Sequence, residues 1–326
     1  MSPETTILAA LAIPLAGALL IGLAGRVNDN LRETATLLTA TVLIACVWSL
    51  LPEIYDGGRP SVRLAEVLPG IEIAFKVEPL GMLVAAMASG LWLVNSIYSI
   101  GYMRGNREKK QTRFYVMFAV SLAAAMGIAF SGNLFTLFLF YEMLTLSTYP
   151  LVSHKGDPAT VRSARVYLGI LISASIGLLL PAVIWTYAVA GTGDFTVGGI
   201  LEGHIEGPQI GLLLGLFVFG AAKAAVMPVH RWLPAAMVAP TPVSALLHAV
   251  AVVKAGVFTI LKIIIYVFGV DFLFADPSSG WLFYAAAFTI IAASVVALRQ
   301  QNLKRLLAYS TIAQLSYVVL AAAILK

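Results

Sequence analysis

Long apolar runs separated by short polar segments occupy almost the whole chain of 326 residues. A helix needs about 20 apolar residues to cross the roughly 30 Å hydrocarbon layer of a membrane. Ten segments meet or nearly meet that requirement, which predicts an all-α, polytopic integral membrane protein with about ten transmembrane helices. Their expected positions are about 4–25, 31–51, 79–102, 113–130, 133–153, 163–190, 209–229, 242–267, 279–298 and 306–325.

Composition supports a membrane environment and argues against other classes of partner. The chain is 60% hydrophobic and 11% charged, with a mean hydropathy of +0.91, which is too apolar for an ordinary soluble domain. Its net charge of +5 would suit nucleic acid only if the basic residues shared one soluble face. They lie instead in short loops between apolar runs, so we expect membrane lipid and no nucleic acid as a partner.

The loops also predict orientation and local structure. Most Lys and Arg residues fall in alternate loops, and the rule that basic loops stay inside places the N-terminus outside.

Cys46 has no partner cysteine in the chain. The first apolar run is expected to be a retained helix rather than a signal peptide. The long outside loop, 52–78, is rich in Pro and Gly with alternating apolar residues and predicts a small hairpin or cap.

Glu142 is the first charge that an apolar span should not contain. It lies about ten residues into the span NLFTLFLFYEMLTLSTYPLV, near the expected bilayer centre. A carboxylate at that depth costs several kcal/mol unless it is paired, hydrated or protonated. Two interpretations remain open: a structural carboxyl bonded to a neighbouring helix, or a proton-binding site.

Lys223 is equally deep in the span IGLLLGLFVFGAAKAAVMPVHRWLP, and Pro228 follows five residues later. Proline lacks an N–H and would displace the carbonyl of Ala224, so we expect the helix to break just beyond the lysine. A break at membrane depth is tolerated only where the backbone is buried in protein or lines a wet cavity. The combination indicates an ion pathway.

The following span, TPVSALLHAVAVVKAGVFTILK, carries two more candidates. Lys254 is central, and His248 is either a second proton carrier or a neutral histidine bonded to a backbone carbonyl. Lys262 lies near the outer end of the span, where its long side chain could reach the interface, so we expect no role in the pathway. His230 is either an interfacial anchor or a point of proton entry.

No nucleotide-binding loop, metal-ligand cluster or nucleophile–base arrangement is present in the sequence. We therefore expect no enzyme activity of the chain itself, no cofactor and no metal. A membrane scaffold without transport would not need central charges, so it explains Glu142, Lys223 and Lys254 poorly. A relay of coupled acid, lysines and histidine at membrane depth can move protons.

The run WLPAAMVAPTPVSALLHAVAVVKAGVF, together with LFYEMLTLSTYPL, strongly resembles the antiporter-like membrane subunits. That family comprises the large subunits of Mrp-type Na⁺/H⁺ antiporters and the proton-pumping membrane-arm subunits of respiratory complex I and related hydrogenases. The resemblance implies that Glu142 and Lys223 form the key buried pair, and that Lys254 and His248 continue the line towards a second half-channel. It favours the Mrp type, and within it the D-type subunit.

The resemblance also implies two inverted five-helix repeats in about fourteen helices. On that pattern we expect an N-terminal three-helix segment (1–110), a complete first repeat with the ion pathway (111–270) and the start of a truncated second repeat (271–326). The chain is then either a fragment or a subunit that borrows the missing half from a partner.

The predicted function is proton conduction in a multisubunit monovalent cation (Na⁺)/proton antiporter, in the plasma membrane of a prokaryote, with other subunits as partners. The alternative is a proton-translocating membrane-arm subunit of an NADH:quinone oxidoreductase or related hydrogenase. Sodium-dependent proton movement without a redox donor would favour the first, and co-purifying flavin or iron–sulfur proteins the second.

Overall fold

The computed structural model describes residues 2–245 and 251–324, most of them helical. The α-helices are α1 (Pro3–Val27), α2 (Asp29–Trp48), α3 (Leu51–Tyr55), α4 (Pro79–Gly105), α5 (Gln111–Ala129), α6 (Leu134–Val152), α7 (Pro158–Ala174), α8 (Leu180–Ala190), α9 (Pro208–Gly220), α10 (Trp232–Ala236), α11 (Thr241–Val243), α12 (Val252–Lys262), α13 (Val270–Ala275), α14 (Trp281–Leu298) and α15 (Leu303–Ile324). Two π-helical segments, Ser175–Leu179 and Ile263–Phe268, follow α7 and α12. The strands are β1 (Ser61–Leu68) and β2 (Ile71–Lys76).

Eight helical segments in the described part of the chain are long and apolar enough to cross a membrane. The prediction of an all-α, polytopic membrane protein is therefore confirmed. The predicted spans 209–229 and 242–267 are not among the eight. In the first, α9 has only 13 residues before the helix ends. In the second, α11 and α12 lie on either side of residues 246–250, outside the described ranges. The division at 110 and 270 and the inverted repeats stay predictions.

Polar residues fix where several helices begin. The Asn28 side chain accepts a hydrogen bond from the backbone N–H of Leu31 at 2.7 Å, which caps α2 directly after α1 ends. Asp157 caps α7 in the same way, with Pro158 in the first turn. The span predicted to start at 163 therefore starts five residues earlier, at Pro158. Its first turn is polar, so a search for apolar runs does not include that turn.

The loop predicted to form a hairpin or cap does form one. β1 and β2 pair antiparallel, from Ser61 opposite Lys76 to Leu68 opposite Ile71. The hairpin docks on the α5–α6 loop, where Gly132 N–H donates to the Ala74 carbonyl at 2.8 Å. That loop in turn accepts the N–H of Phe195 at the Gly132 carbonyl, 3.0 Å away. We call this layer, residues 61–76, 131–133 and 194–196, the outer cap, after the side that it is expected to face.

Helix α5 lies at the centre of the described bundle, and its residues from Leu122 to Ala129 are all buried. Gly127 of α5 faces the ring of Phe140 so closely that a Cβ would overlap it. This close approach seats α6 firmly against α5. Helix α6 carries Glu142, so the candidate acid is fixed on a tightly packed element.

Candidate functional site

The helix that contains Lys223 breaks before the lysine, not beyond it as expected. Helix α9 ends at Gly220, a short 3₁₀ turn covers Ala222–Ala224, and Ala225 has a left-handed φ of +58°. An unbroken helix would direct the Lys223 N–H to the carbonyl of Phe219. It donates instead to the Tyr141 hydroxyl at 3.1 Å. This contact from α6 replaces the helical hydrogen bond of Lys223, so the helix ends at Gly220, before the lysine, rather than after it.

Pro228 lies inside the irregular segment rather than at its start. The Met227–Pro228 peptide is cis, and a second 3₁₀ turn, Val229–Arg231, leads into α10. The proposed displacement of the Ala224 carbonyl by Pro228 is therefore wrong, because no α-helix reaches that residue. The proline still belongs to the discontinuity and excludes regular helix through it.

Side chains from neighbouring elements satisfy the freed backbone of the break. The Trp232 indole N–H donates to the Ala222 carbonyl at 2.7 Å. The Thr289 hydroxyl of α14 accepts the Met227 N–H at 3.2 Å. Irregular backbone at membrane depth requires such protein partners. The break is thus a built feature, held by α6, α10 and α14.

The Lys223 side chain is fully buried, with 0% of its surface exposed. Its ammonium donates to the Tyr141 carbonyl at 2.9 Å and to the Thr145 hydroxyl at 2.6 Å. The nitrogen also lies 3.1 Å from the centroid of the Tyr141 ring. All of these direct partners are neutral, so a positive charge on Lys223 has no adjacent counter-ion among them.

Glu142 lies on the same turns of α6 as the two acceptors of Lys223, directly after Tyr141 and three residues before Thr145. Its carboxylate is close enough to interact electrostatically with the Lys223 ammonium. Within residues 2–245 and 251–324, however, no ion pair shorter than 4.0 Å joins them, and the buried Glu142 Oε1 has no hydrogen-bond partner. The structure therefore brings the predicted pair into one site without direct contact.

The other predicted residues differ in how far they approach Lys223. Lys254 on α12 is half-buried, and two residues later Gly256 packs on the backbone of Lys223 and Ala224, where a Cβ would overlap Ala224 N. His230 is half-buried and lies 6.2 Å from the ring of Tyr309 between centroids. In the described part of the chain its Nδ1 has no hydrogen-bond partner. His248 lies outside the described residues.

The expectation that the Lys262 side chain reaches the interface is wrong, whereas the absence of a role in the pathway stays a prediction. Its side chain does not reach the interface but is fully buried, with 0% exposure, under the outer cap. The ammonium donates to the Ser131 carbonyl and lies 3.5 Å from Glu78 Oε2. Glu78, itself 3% exposed, is also 3.3 Å from Lys76. A position near the end of a span indicated that the long side chain would extend to the interface. Loops distant in sequence, those of Ser131 and Phe195, cover this end of α12 instead.

A further buried titratable group lies at the opposite end of α6. The His154 imidazole is 3.8 Å from Glu108, and its own carbonyl accepts a hydrogen bond from Arg113 at 3.2 Å. Burial, with the nearby Arg113 charge, lowers the pKa of His154 to about 4. Because the ring is neutral near pH 7, His154 itself adds no positive charge to that of Arg113.

A family model described as "NADH:quinone oxidoreductase/Mrp antiporter, TM" matches residues 131–326. The match covers more than half of the chain, so the chain belongs to this family of membrane subunits. The resemblance found in the sequence is thereby confirmed, whereas the D-type assignment stays a prediction.

Curated relatives come from both branches of the family. The chain is 30% identical over 331 residues to "NAD(P)H-quinone oxidoreductase subunit 5, organellar chromatophore 1" of Paulinella chromatophora, covering 95% of the chain and 48% of that protein. It is 29% identical over 322 residues to "Na(+)/H(+) antiporter subunit A1" of Staphylococcus aureus, covering 95% and 38%. The chain thus spans about half or less of these relatives.

Solved structures agree with the fold. An archaeal membrane-bound sulfane sulfur reductase chain superposes with a TM-score of 0.83 at 23% identity, over 97% of this chain and 64% of that one. A chain of the Mrp complex from Dietzia sp. superposes with a TM-score of 0.79 at 25% identity, over 98% and 34%. This chain therefore shares its overall fold with both of these chains.

Proposed function

We propose that the chain is a proton-conducting subunit of a multisubunit Na⁺/H⁺ antiporter in the plasma membrane of a prokaryote. The observation that carries the proposal is the fully buried Lys223 in the broken helix, bonded to Tyr141 and Thr145 beside the carboxyl of Glu142. A buried ammonium whose direct partners are neutral depends on a more distant counter-charge for its stability.

That dependence gives the site a way to pass protons. While Glu142 is ionised, its charge stabilises the ammonium of Lys223. A proton that arrives at Glu142 removes this counter-charge and favours release of a proton from Lys223. The displaced proton moves onwards along Lys254 and His248, with His230 as an accessory group near the break. Each step transfers one proton from one titratable group to the next and requires no bond to carbon to form or break.

The second candidate is a redox-driven proton translocator, in which other chains supply the energy. It is supported by the match to a quinone oxidoreductase subunit 5 over 95% of the chain. The two candidates share the proton route and differ in what drives it. In either case other membrane subunits are the expected partners.

The test is proton movement in vesicles that hold the assembled complex. An imposed Na⁺ gradient should drive proton uptake or release without any electron donor, and Lys223→Met should abolish it. Lys155→Met is the matched control, because Lys155 is exposed in the α6–α7 loop. Proton movement only with a redox donor would select the second candidate. Normal sodium-driven transport in Lys223→Met would overturn the proposed route.

A further inference from the structure

Lys262 connects α12 to three segments that are distant in sequence. Its ammonium bonds the Ser131 carbonyl of the α5–α6 loop and faces the Glu78 carboxylate at the start of α4. The ring of Phe195, in the loop after α8, lies 4.1 Å from the same nitrogen. One side chain thus holds the end of α12 to the outer cap and to α4.

Helix α12 also contacts the irregular segment around Lys223 directly, and the close packing there restricts movement of α12 along its axis. Gly256 is packed on the backbone of Lys223 and Ala224 with no room for even a methyl group. Lys262 is six residues further along, about 9 Å at the rise of an α-helix. Because the helix between them is regular, an axial shift at Lys262 is transmitted to Gly256 and so to the backbone of Lys223.

We propose that Lys262, through its ion pair with Glu78, is a positioning residue for proton transfer at Lys223. The pair fixes the axial position of α12, which sets where Lys223 lies relative to Glu142 and where Lys254 lies relative to both. This inference rests on the proposed proton route, but it concerns residues outside that route.

The chemistry of the contact favours alignment over simple packing. A buried ion pair is costly to desolvate, and an apolar pair of similar volume commonly stabilises a fold at least as well. The contacts of Lys262 instead combine one directional hydrogen bond, to the Ser131 carbonyl, with a carboxylate 3.5 Å away and an aromatic face, and one ammonium position must satisfy all three together. Such contacts specify a register that interchangeable apolar groups would leave loose.

Three variants of the assembled complex in vesicles test the proposal. Lys262→Met removes the charge at similar length and should lower proton transport about 10- to 100-fold, the loss expected for misplaced reacting groups. Lys262→Arg keeps a charge that can pair with Glu78, so it should recover part of the transport that Lys262→Met loses, although the planar guanidinium does not reproduce every contact of the ammonium. The double variant Glu78→Gln with Lys262→Met removes both charges of the buried pair and leaves only the partly exposed Lys76 without its carboxylate, so it should assemble normally yet transport as poorly as Lys262→Met.

The double variant separates positioning from stability. Wild-type transport in a normally assembled double variant would overturn the proposal, because the pair would then serve the fold alone. Complete loss of transport in a well-assembled Lys262→Arg variant would also overturn it, by indicating that the lysine itself releases a proton. Failure of the underlying proton route is recognised separately, by normal transport in Lys223→Met while the wild-type complex is active.

Discussion

Lys223 and Lys262 are both fully buried, but their ammonium groups meet different partners. Lys223 donates to a neutral carbonyl and a neutral hydroxyl, with Glu142 near but not in contact. The ammonium of Lys262 faces the carboxylate of Glu78 at 3.5 Å, and the partly exposed Lys76 lies 3.3 Å from the same carboxylate. If Lys223 loses its charge, no carboxylate in the described part of the chain loses a direct partner, whereas loss of the Lys262 charge leaves the buried Glu78 with Lys76 as its ion-pair partner.

This difference suggests that the two lysines have different roles, with Lys223 transferring protons and Lys262 holding neighbouring elements in position. A group that must gain and lose a proton is best held by neutral partners and controlled by a carboxyl at short range. A group that must hold elements together is best held by a permanent counter-charge. The comparison predicts that removing the carboxyl has opposite consequences at the two sites.

The largest expected effects come from removing the two carboxylates. The change at Glu142 should affect transport, and the change at Glu78 should affect the stability of the complex. Glu142→Gln should abolish proton transport while the complex assembles normally, since it keeps shape and removes titration. Adding Lys223→Met should make transport little worse, because groups that act as a unit are strongly non-additive. Glu78→Gln should instead leave the Lys262 ammonium uncompensated, at a cost of about 3–5 kcal/mol of stability.

Proton uptake by everted vesicles, with assembly checked on native gels, measures both halves of this prediction. Glu53→Gln is a control, because Glu53 is an exposed carboxylate in α3, whereas Glu78 is buried. Wild-type transport in Glu142→Gln would remove that residue from the route. A Glu78→Gln complex as heat-stable as wild type would contradict the view that Glu78 compensates the charge of Lys262.

The sequence identified Glu142 and Lys223 because a charge inside an apolar run is visible without any structure. Lys262 was visible in the same way, but its position near the end of a span suggested an exposed group. What buries it is Ser131, Phe195 and Glu78, which are 131, 67 and 184 residues away in sequence. No helical periodicity predicts which loop covers which helix end, so this pair was missed.

The break shows a similar limit. Pro228 predicted a discontinuity, and the discontinuity exists, but its start is set by the Tyr141 hydroxyl accepting the Lys223 N–H. Trp232 and Thr289 complete the set of partners from two further elements. A local rule about proline can indicate that a helix is interrupted. The position of the interruption follows from tertiary hydrogen bonds, which such a rule does not contain.

A smaller effect is expected from the neutral partners of Lys223. Thr145→Val removes the hydroxyl at 2.6 Å and leaves the ammonium short of one acceptor. The loss of such a bond costs about 1–3 kcal/mol, so transport should fall by roughly tenfold or more, while Thr145→Ser should retain it. Thr148→Val is the matched control, because its hydroxyl meets Tyr167 at 2.6 Å rather than Lys223. Equal losses in both valine variants would mean that the effect comes from α6 packing.

The smallest effect should come from the aromatic face over Lys262. The Phe195 ring lies 4.1 Å from the ammonium, and its backbone N–H and carbonyl bond Gly132 and Lys76 independently of the ring. Phe195→Leu therefore keeps those backbone bonds and removes the cation–π contact, worth about 0.5–2 kcal/mol, together with the ring contact to Tyr266, and should lower the thermal stability of the complex slightly. Phe195→Tyr keeps an aromatic face and should match wild type. If the leucine and tyrosine variants melt together, the ring contributes only apolar contact, and the counter-charge of Glu78 with the Ser131 carbonyl is sufficient to hold Lys262.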